Sequence, residues 1–157
     1  MRIEVRGDGW TDLRPSKIIA LGLNYADHIQ ETGQSTPTEP ILFAKTPNVL
    51  VGSGEPVVIP AFIDDYGFEK PTVHYEAEMA VVIGRRARNL APGDALDCVM
   101  GYSCFNDVSQ RNFQFGDASG WFRGKSLDTF GPLGPVIAPA GEIDPDCLEI
   151  TCRLNGK

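Results

Sequence analysis

The pattern of residues 73–83 predicts one β-strand that carries two carboxylates on the same face. Side chains alternate between the two faces of a strand, so Glu76 and Glu78 share a row with His74, and the opposite row is mostly apolar. Neighbouring carboxylates repel each other unless a positive charge lies between them, and a hard divalent cation would supply that charge. The stretch therefore predicts half of a metal site. The alternative interpretation is a strand with an exposed acidic edge.

Length and charge limit the classes of partner. The chain has 157 residues, of which 42% are hydrophobic and 22% charged, as expected of one folded domain. A formal charge of −7 argues against nucleic acid and anionic membranes as partners, because both attract basic surfaces. No apolar run approaches membrane-spanning length. We therefore expect a cytoplasmic protein that binds a small molecule and keeps its four cysteines, which form no C-x-x-C pair, without disulfides.

The chain contains 17 glycines and 12 prolines, which predicts many short elements joined by turns and hence a β-rich fold. The predicted strands cover residues 18–23, 40–45, 56–60, 73–83 and 102–106. One short helix is predicted between an N-cap at Asn24 and a C-terminal Gly33, and a second over residues 92–100. Residues 61–72, 116–120 and 131–135 are predicted loops.

The end of the chain predicts half of a β-hairpin. Apolar and polar residues alternate over 148–154, and Asn155-Gly156 follows, which is a strong signal for a two-residue turn into a returning strand. The sequence ends at Lys157, before that strand. We therefore expect either that another subunit supplies the pairing strand or that this sequence is a fragment of a longer chain.

Four segments, taken in order along the chain, resemble one known family. They are Gly22-Leu23-Asn24-Tyr25 with His28 and Glu31, Glu76-x-Glu78, Asn106-Asp107 with Ser109 and Arg111, and Gly124-Lys125-Ser126 with Asp128-Thr129. In this order and spacing they resemble the fumarylacetoacetate hydrolase family over residues 17–157, and four motifs together are far more specific than one. Residues 1–16 carry no such signal and are predicted to be a separate N-terminal segment.

The resemblance implies a β-rich α+β fold, the mixed β-sandwich roll of the catalytic domain, incomplete at the C-terminus and usually dimeric. It also implies that Glu76, Glu78 and Asp107 bind Mg²⁺ or Mn²⁺, with Ca²⁺ able to replace either in crystals. Three carboxylates form an all-oxygen site suited to hard cations and poorly matched to structural zinc. His74 shares their face and is interpreted as a residue that orients the ligands, with direct coordination left open.

The resemblance assigns the remaining chemistry to a second group of residues. His28 and Glu31 are implied to be a general-base dyad that activates water, although the pattern alone favours a solvated histidine. Lys125 is implied to meet a substrate carboxylate or a developing oxyanion, its alternative being an exposed lysine. Arg111 and Gln114 are placed near metal and substrate; their alternatives, equally weighted, are neutralisation of the acidic cluster and a solvated helix position.

The implied function is a metal-dependent hydrolase that cleaves a carbon–carbon bond in acylpyruvate-like 1,3-diketo acids, in the catabolism of aromatic compounds or related keto acids. The expected partners are a small-molecule keto acid and a second copy in a homodimer. Two alternatives stay open. One is a keto acid decarboxylase or isomerase that acts through a metal-bound enolate, and the other is a metal-binding but catalytically incomplete fragment.

Overall fold

The computed structural model describes residues 1–157 except Asp117, Ser119 and Gly120, and it describes His28 and Thr32 by their backbone alone. The strands are β1 (Arg2–Val5), β2 (Gly9–Asp12), β3 (Ile18–Gly22), β4 (Ile41–Lys45), β5 (Leu50–Gly52), β6 (Val73–His74), β7 (Ala77–Ile83), β8 (Val99–Asn106), β9 (Ser109–Gln110) and β10 (Gly131–Pro139). The helices are α1 (Ala26–Thr32), α2 (Arg111–Gly116) and α3 (Phe122–Lys125), and short 3₁₀ helices form at Pro47–Val49, Ala61–Tyr66, Pro92–Asp94, Leu96–Cys98 and Ala140–Glu142.

The main sheet is built around β10. Strand β8 pairs antiparallel with one edge of β10, and β7 pairs antiparallel with the far edge of β8. The other edge of β10 is shared by two parallel strands, β5 at its start and β1 near its middle, and β2 extends the sheet beyond β1. Strands β3 and β4 form a separate antiparallel pair, as do β6 and β9. This mixed sheet with short helices confirms the predicted β-rich α+β class.

The largest cluster of buried apolar side chains lies against this sheet and consists of Ile3, Val5, Val82, Leu133 and Ile137. In β7 the core-facing row continues from Val82 through Ala80 to Glu78, whereas Val81 and Ile83 in the opposite row are exposed. The acidic row is therefore the row that faces the core. The alternative of a strand with an exposed acidic edge is wrong for Glu78, which is partly buried.

The single strand predicted over residues 73–83 is interrupted. Its first two residues form β6 and pair with β9, whereas β7 begins at Ala77 and pairs with β8. At the break, the Glu76 backbone N–H donates to Asn106 Oδ1 at 3.0 Å, and the Glu76 carbonyl accepts from the backbone N–H of Asp107 at 2.9 Å. Glu76 is therefore held at a junction of strands and is tied to the residue that follows β8.

Proline and glycine account for two further wrong predictions. Residues 56–60 form no strand, because prolines at both ends lack the N–H that a ladder needs, and β5 forms at Leu50–Gly52 instead. Residues 131–135 are not a loop but the start of β10. Their Gly134-Pro135 pair is accommodated where the register with β8 is irregular, between Gly134 and Ala138.

The predicted helix signals are partly correct. Helix α1 ends at Gly33 in the left-handed conformation, with φ of 64°, as predicted, but its N-cap is Tyr25 rather than Asn24. The helix predicted over residues 92–100 is two short 3₁₀ turns, and β8 begins at Val99. The predicted strand over 102–106 is confirmed as the later part of β8.

At the end of the chain the turn forms but the strand does not. Asn155 and Gly156 have φ of 53° and 79°, and Leu154 and Lys157 exchange two backbone hydrogen bonds at 3.0 and 3.1 Å. Residues 148–154 are exposed and form no strand, because an alternating segment needs a partner to complete a ladder.

Strands β1 and β2 lie within the first sixteen residues and belong to the main sheet, since Glu4 and Val5 pair with β10. The boundary drawn before Lys17 stays a prediction. The four cysteines are free thiols, as predicted. No helix among the described residues is long and apolar enough to span a membrane.

Replacing Ile137 by alanine should lower the free energy of unfolding by about 2–4 kcal/mol, because loss of this fully buried side chain leaves a cavity in the apolar core cluster. The matched control is Ile83→Ala, which removes an exposed isoleucine from β7 and should cost less than about 1 kcal/mol. Urea denaturation measures both. Equal losses in the two variants would contradict the placement of the core.

Candidate active site

Three carboxylates meet where β7 and β8 adjoin. Glu78 lies on β7 opposite Phe105, Glu76 immediately precedes β7, and Asp107 follows the last residue of β8. One carboxylate oxygen from each residue lies within 4.8 Å of the others. The structure therefore brings together the three predicted metal ligands, which the sequence separates by up to 31 positions.

Two lysine ammonium groups enclose Asp107, which is fully buried. Lys45 Nζ donates to Asp107 Oδ1 at 2.6 Å and to the carbonyl oxygen of Val108 at 3.3 Å. Lys125 Nζ donates to Asp107 Oδ2 at 2.5 Å and to Glu76 Oε2 at 2.7 Å. Both lysines are 2% exposed, so their charges face carboxylates with little screening by water. The alternative of an exposed lysine at position 125 is wrong.

Lys45 is a site residue that the sequence analysis did not identify. It ends β4 in the same side-chain row as Phe43, and its cross-strand neighbour is Ile18. Burial lowers the pKa of Lys45, and the charge of Asp107 and their hydrogen bond oppose that shift. A lysine that falls in the inward row of an apolar strand was the available signal, because lysine is rarely buried without a charged partner.

Arg111 extends the network from the first turn of α2. Its guanidinium forms an ion pair with Glu76, donates from Nε to His74 Nδ1 at 3.1 Å and donates from Nη1 to Gln114 Oε1 at 2.7 Å. Gln114 is buried, so its alternative as a solvated helix residue is wrong. His74 contacts Arg111, which in turn contacts Glu76, so the link from His74 to the carboxylates runs through an arginine.

Glu76 and Glu78 differ in their partners and therefore in their pKa. Burial would raise the pKa of Glu76, but the charge of Lys125, its hydrogen bond, and then Arg111 and Ser109 hold it below its usual value. Burial, reinforced by the charges of Asp107 and Glu76, raises the pKa of Glu78 to about 7. Among the described residues, none donates a hydrogen bond to Glu78. Of the three carboxylates, Glu78 is thus the one for which no described residue supplies a direct cationic partner.

The donor set fits a hard divalent cation. It consists of oxygen atoms alone, it converges within ligand-sharing distance, and it includes in Glu78 a partly buried carboxylate that a cation would neutralise. Glu76, Glu78 and Asp107 are the residues that would hold the ion. They do not specify which metal it is.

The proposed base dyad stays a prediction. His28 and Glu31 both lie on α1, but the His28 side chain falls outside the described residues. The start of α1 is nevertheless anchored beside the carboxylates, because the Met79 backbone N–H donates to Tyr25 Oη at 3.2 Å. Burial raises the pKa of Tyr25, and the nearby charge of Glu78 contributes to that shift.

Gly124 allows α3 to pack directly on the elements that precede it. A Cβ atom at this position would lie 2.6 Å from the Gln110 carbonyl oxygen and 2.7 Å from the Gln114 backbone nitrogen. Both contacts are with backbone, which cannot turn away as a flexible side chain can. The absence of a side chain at Gly124 therefore determines how closely the next residue, Lys125, approaches Asp107.

Comparisons with known proteins find matches over most of the chain. The family model described as fumarylacetoacetate (FAA) hydrolase C-terminal matches residues 17–157. The mitochondrial oxaloacetate tautomerase Fahd2a of Rattus norvegicus is 40% identical over 145 residues, which are 92% of this chain and 44% of the rat protein. The chain spans about half the length of several curated relatives that it matches.

Solved structures resemble the fold as well. The 5-carboxymethyl-2-hydroxymuconate delta-isomerase of Mycobacterium smegmatis has a TM-score of 0.68 and 40% identity, covering 83% of this chain and 48% of that one. A fumarylacetoacetate hydrolase from Exiguobacterium antarcticum has the same TM-score and identity, covering 85% of this chain and 46% of that one.

Replacing Gly124 by alanine should destabilise the chain by about 1–3 kcal/mol, because the added methyl group overlaps backbone atoms. Helix propensity alone predicts the opposite sign, since alanine favours helices over glycine. Gly141→Ala is the control, because nothing lies within 4 Å of its added Cβ atom. Chemical denaturation measures the stability of both variants. A Gly124→Ala protein as stable as the Gly141→Ala control would refute the close packing of α3.

Replacing Glu78 by glutamine should stabilise the metal-free protein at pH 8. The pKa of Glu78 is raised from 4.5 to about 7 on folding, so the folded state binds its proton more tightly than the unfolded state. Ionising Glu78 therefore costs the folded state stability. This cost is absent below about pH 4.5, grows as the pH rises towards 7 and is complete above pH 7. We expect Glu78→Gln to gain about 1–2 kcal/mol at pH 8, after allowance for partial exposure, and little near pH 5.

Thermal unfolding in the presence of a chelator at the two pH values measures this gain. Glu149→Gln is the matched control, because Glu149 is an exposed carboxylate and should change stability little at either pH. A gain of equal size at pH 5 and pH 8 would show that titration of Glu78 is not its source.

Proposed function

Because the chain belongs to the fumarylacetoacetate hydrolase family, we propose that it is an enzyme of small keto acids that stabilises an enolate. The reaction would be the tautomerisation or isomerisation of a 2-keto acid. The observation that carries the proposal is the position of Lys125, whose buried ammonium lies 2.5 Å from Asp107 and 2.7 Å from Glu76 within the carboxylate cluster. A cation fixed beside a divalent metal site is suited to an oxygen atom that gains negative charge.

A divalent cation held by Glu76, Glu78 and Asp107 would supply Lewis acidity towards the keto oxygen and carboxylate of the substrate. Mg²⁺ and Mn²⁺ are the proposed ions, since both prefer oxygen ligands.

Lys125 would stabilise the oxygen atom on which charge develops. An ammonium group has three N–H donors, and Lys125 uses two of them on Asp107 and Glu76, which leaves one for the substrate. The Phe43 ring, with its centroid 5.1 Å from Nζ, gives the ammonium an apolar neighbour that keeps water away. In such surroundings a hydrogen bond to a developing oxyanion is stronger than it would be in water.

The names of two relatives support the same chemistry. The rat relative is named an oxaloacetate tautomerase and the M. smegmatis structure a delta-isomerase. Both names describe the movement of a double bond and a proton within one molecule, which does not require an attacking water. The described part of the site contains what that reaction needs on the oxygen side, namely three carboxylates and a fixed ammonium.

The second candidate is the hydrolysis of a carbon–carbon bond in an acylpyruvate-like acid, as the family resemblance implies. It is favoured by α1, which carries His28 and Glu31 on a helix whose first turn is anchored to β7 through Tyr25. In this reaction His28, oriented by Glu31, would take a proton from water. We also propose that the partner is a small keto acid, that the assembly is a homodimer and that the location is the cytoplasm.

The proposed function predicts turnover that depends on a divalent metal ion. The purified chain with Mg²⁺ or Mn²⁺ should accelerate the decay of the enol absorbance of oxaloacetate, and Glu76→Gln should reduce the rate at least about 100-fold, because it removes a ligand and the partner of Lys125. Glu149→Gln, an exposed carboxylate, should retain the full rate. Turnover that survives equally in Glu76→Gln would refute the assignment of the site.

Acetylpyruvate separates the two candidate reactions, because only hydrolysis releases acetate and pyruvate from it. Tautomerisation without released acetate, and with little effect of His28→Ala, would support the enolate reaction. Acetate release that falls about 100-fold or more in His28→Ala would instead support hydrolysis with His28 as the base.

A further inference from the structure

The charges of the site balance one another. Glu76, Glu78 and Asp107 carry three negative charges when all are ionised, and three cations lie among them. Lys45 and Lys125 contact Asp107, and Lys125 and Arg111 contact Glu76. With all three carboxylates ionised, the described side chains of the centre therefore sum to no net charge before any metal ion enters, in contrast to a site of three carboxylates alone.

Burial strengthens the interactions between these charges. Asp107 and the side chain of Lys45 are fully enclosed, and the Lys125 side chain is 2% exposed. Charges in such surroundings interact several times more strongly than they would in water. A divalent cation that enters this centre meets the charge of Glu78, but it also adds two positive charges to a centre without net charge and is repelled by three cations.

Lys45 differs from the other two cations because it cannot turn towards a ligand. Its ammonium is committed to Asp107 Oδ1 and to the Val108 carbonyl oxygen, whereas Lys125 donates to the other oxygen of Asp107. Arg111 and Glu76, by contrast, are each more than a fifth exposed, so their contacts lie at the accessible side of the centre. The charge of Lys45 is thus a permanent internal feature of the site.

We propose, building on the proposed function, that this centre binds a divalent cation and a dianionic chelating ligand as a coupled pair, and that Lys45 is the buried charge that keeps its affinity for the cation alone low. A dianion restores neutrality once the cation is present, whereas a monoanion leaves one excess positive charge.

Lys45 is on this account a positioning residue. Its ammonium donates to Asp107 and Val108, and it acts by fixing one oxygen of Asp107 while its charge opposes the cation. A purely structural role would predict that its loss weakens metal binding through disorder of Asp107. The electrostatic role predicts the reverse: without the Lys45 charge, the centre binds the cation more tightly in the absence of the dianion.

Mn²⁺ binding, followed by the electron paramagnetic resonance of the free ion, tests the coupling on the unmodified chain. The probes are oxalate, a chelating dianion, and oxamate, which has nearly the same shape and one negative charge fewer. After correction for the complexes that each probe forms with Mn²⁺ in solution, oxalate should tighten Mn²⁺ binding by about 10- to 100-fold. Oxamate should tighten it several-fold less. An unchanged affinity with oxalate, or equal gains with both probes, would overturn the proposal.

Lys45→Met tests the role of the buried charge, since methionine has a similar length and no charge. It should bind Mn²⁺ alone about tenfold more tightly than the unmodified chain, and its gain with oxalate should shrink by a similar factor. Lys70→Met, at an exposed lysine, should change neither value. Weaker Mn²⁺ binding by a folded Lys45→Met protein would overturn the role given to Lys45. If that variant does not fold, the comparison of oxalate with oxamate on the unmodified chain still decides whether the coupling exists.

The outcome is independent of catalysis. Oxalate and oxamate contain no enolisable carbon, so the coupling is measured even if the chain turns over no keto acid. Coupling without turnover would leave this inference standing and refute the proposed function, whereas turnover without coupling would do the opposite.

Discussion

The pairing of a buried carboxylate with two buried ammonium groups is the interaction on which the site depends. Asp107 is fully enclosed, and each of its oxygens accepts a hydrogen bond from a different lysine. A buried charge without a partner costs several kcal/mol, and loss of one member of such a pair is usually strongly destabilising. The carboxylate and the two lysines are therefore positioned together, and the elements that carry them are held to one arrangement.

Those elements come from distant parts of the chain. Lys45 ends β4, Asp107 follows β8, and Lys125 ends α3, which packs on the neighbouring backbone only because position 124 is glycine. Glu76 joins the same network at the junction between β6 and β7, through a backbone hydrogen bond to Asp107 and an ion pair with Lys125. The main sheet thus supplies two carboxylates at one end, and the smaller β-pair and a helix supply the cations that compensate them.

The sequence predicted the carboxylates better than it predicted their surroundings. Glu76 and Glu78 could be paired from strand alternation, which is a local pattern, whereas Asp107 was assigned as a ligand only through the resemblance to the family. Lys45 was not identified, because its partner is 62 positions away and a lysine at a strand end is normally exposed; its place in the inward row of β4 was the local signal for it. The start of β10 was taken for a loop because glycine and proline disfavour strands, and the irregular register that accommodates them is a tertiary feature. Residues 148–154 show the converse, since alternation without a pairing strand produces no ladder.

The central claim is that Glu76, Glu78 and Asp107 hold a divalent cation while Lys45 stays on Asp107. A crystal of the chain grown with Mn²⁺, measured at a wavelength where manganese scatters anomalously, tests it most directly. We predict one anomalous peak at about 2.1–2.3 Å from an oxygen of each of the three carboxylates, with the contact between Lys45 Nζ and Asp107 Oδ1 retained. A peak bound elsewhere, or a structure in which Lys45 has left Asp107, would contradict the account.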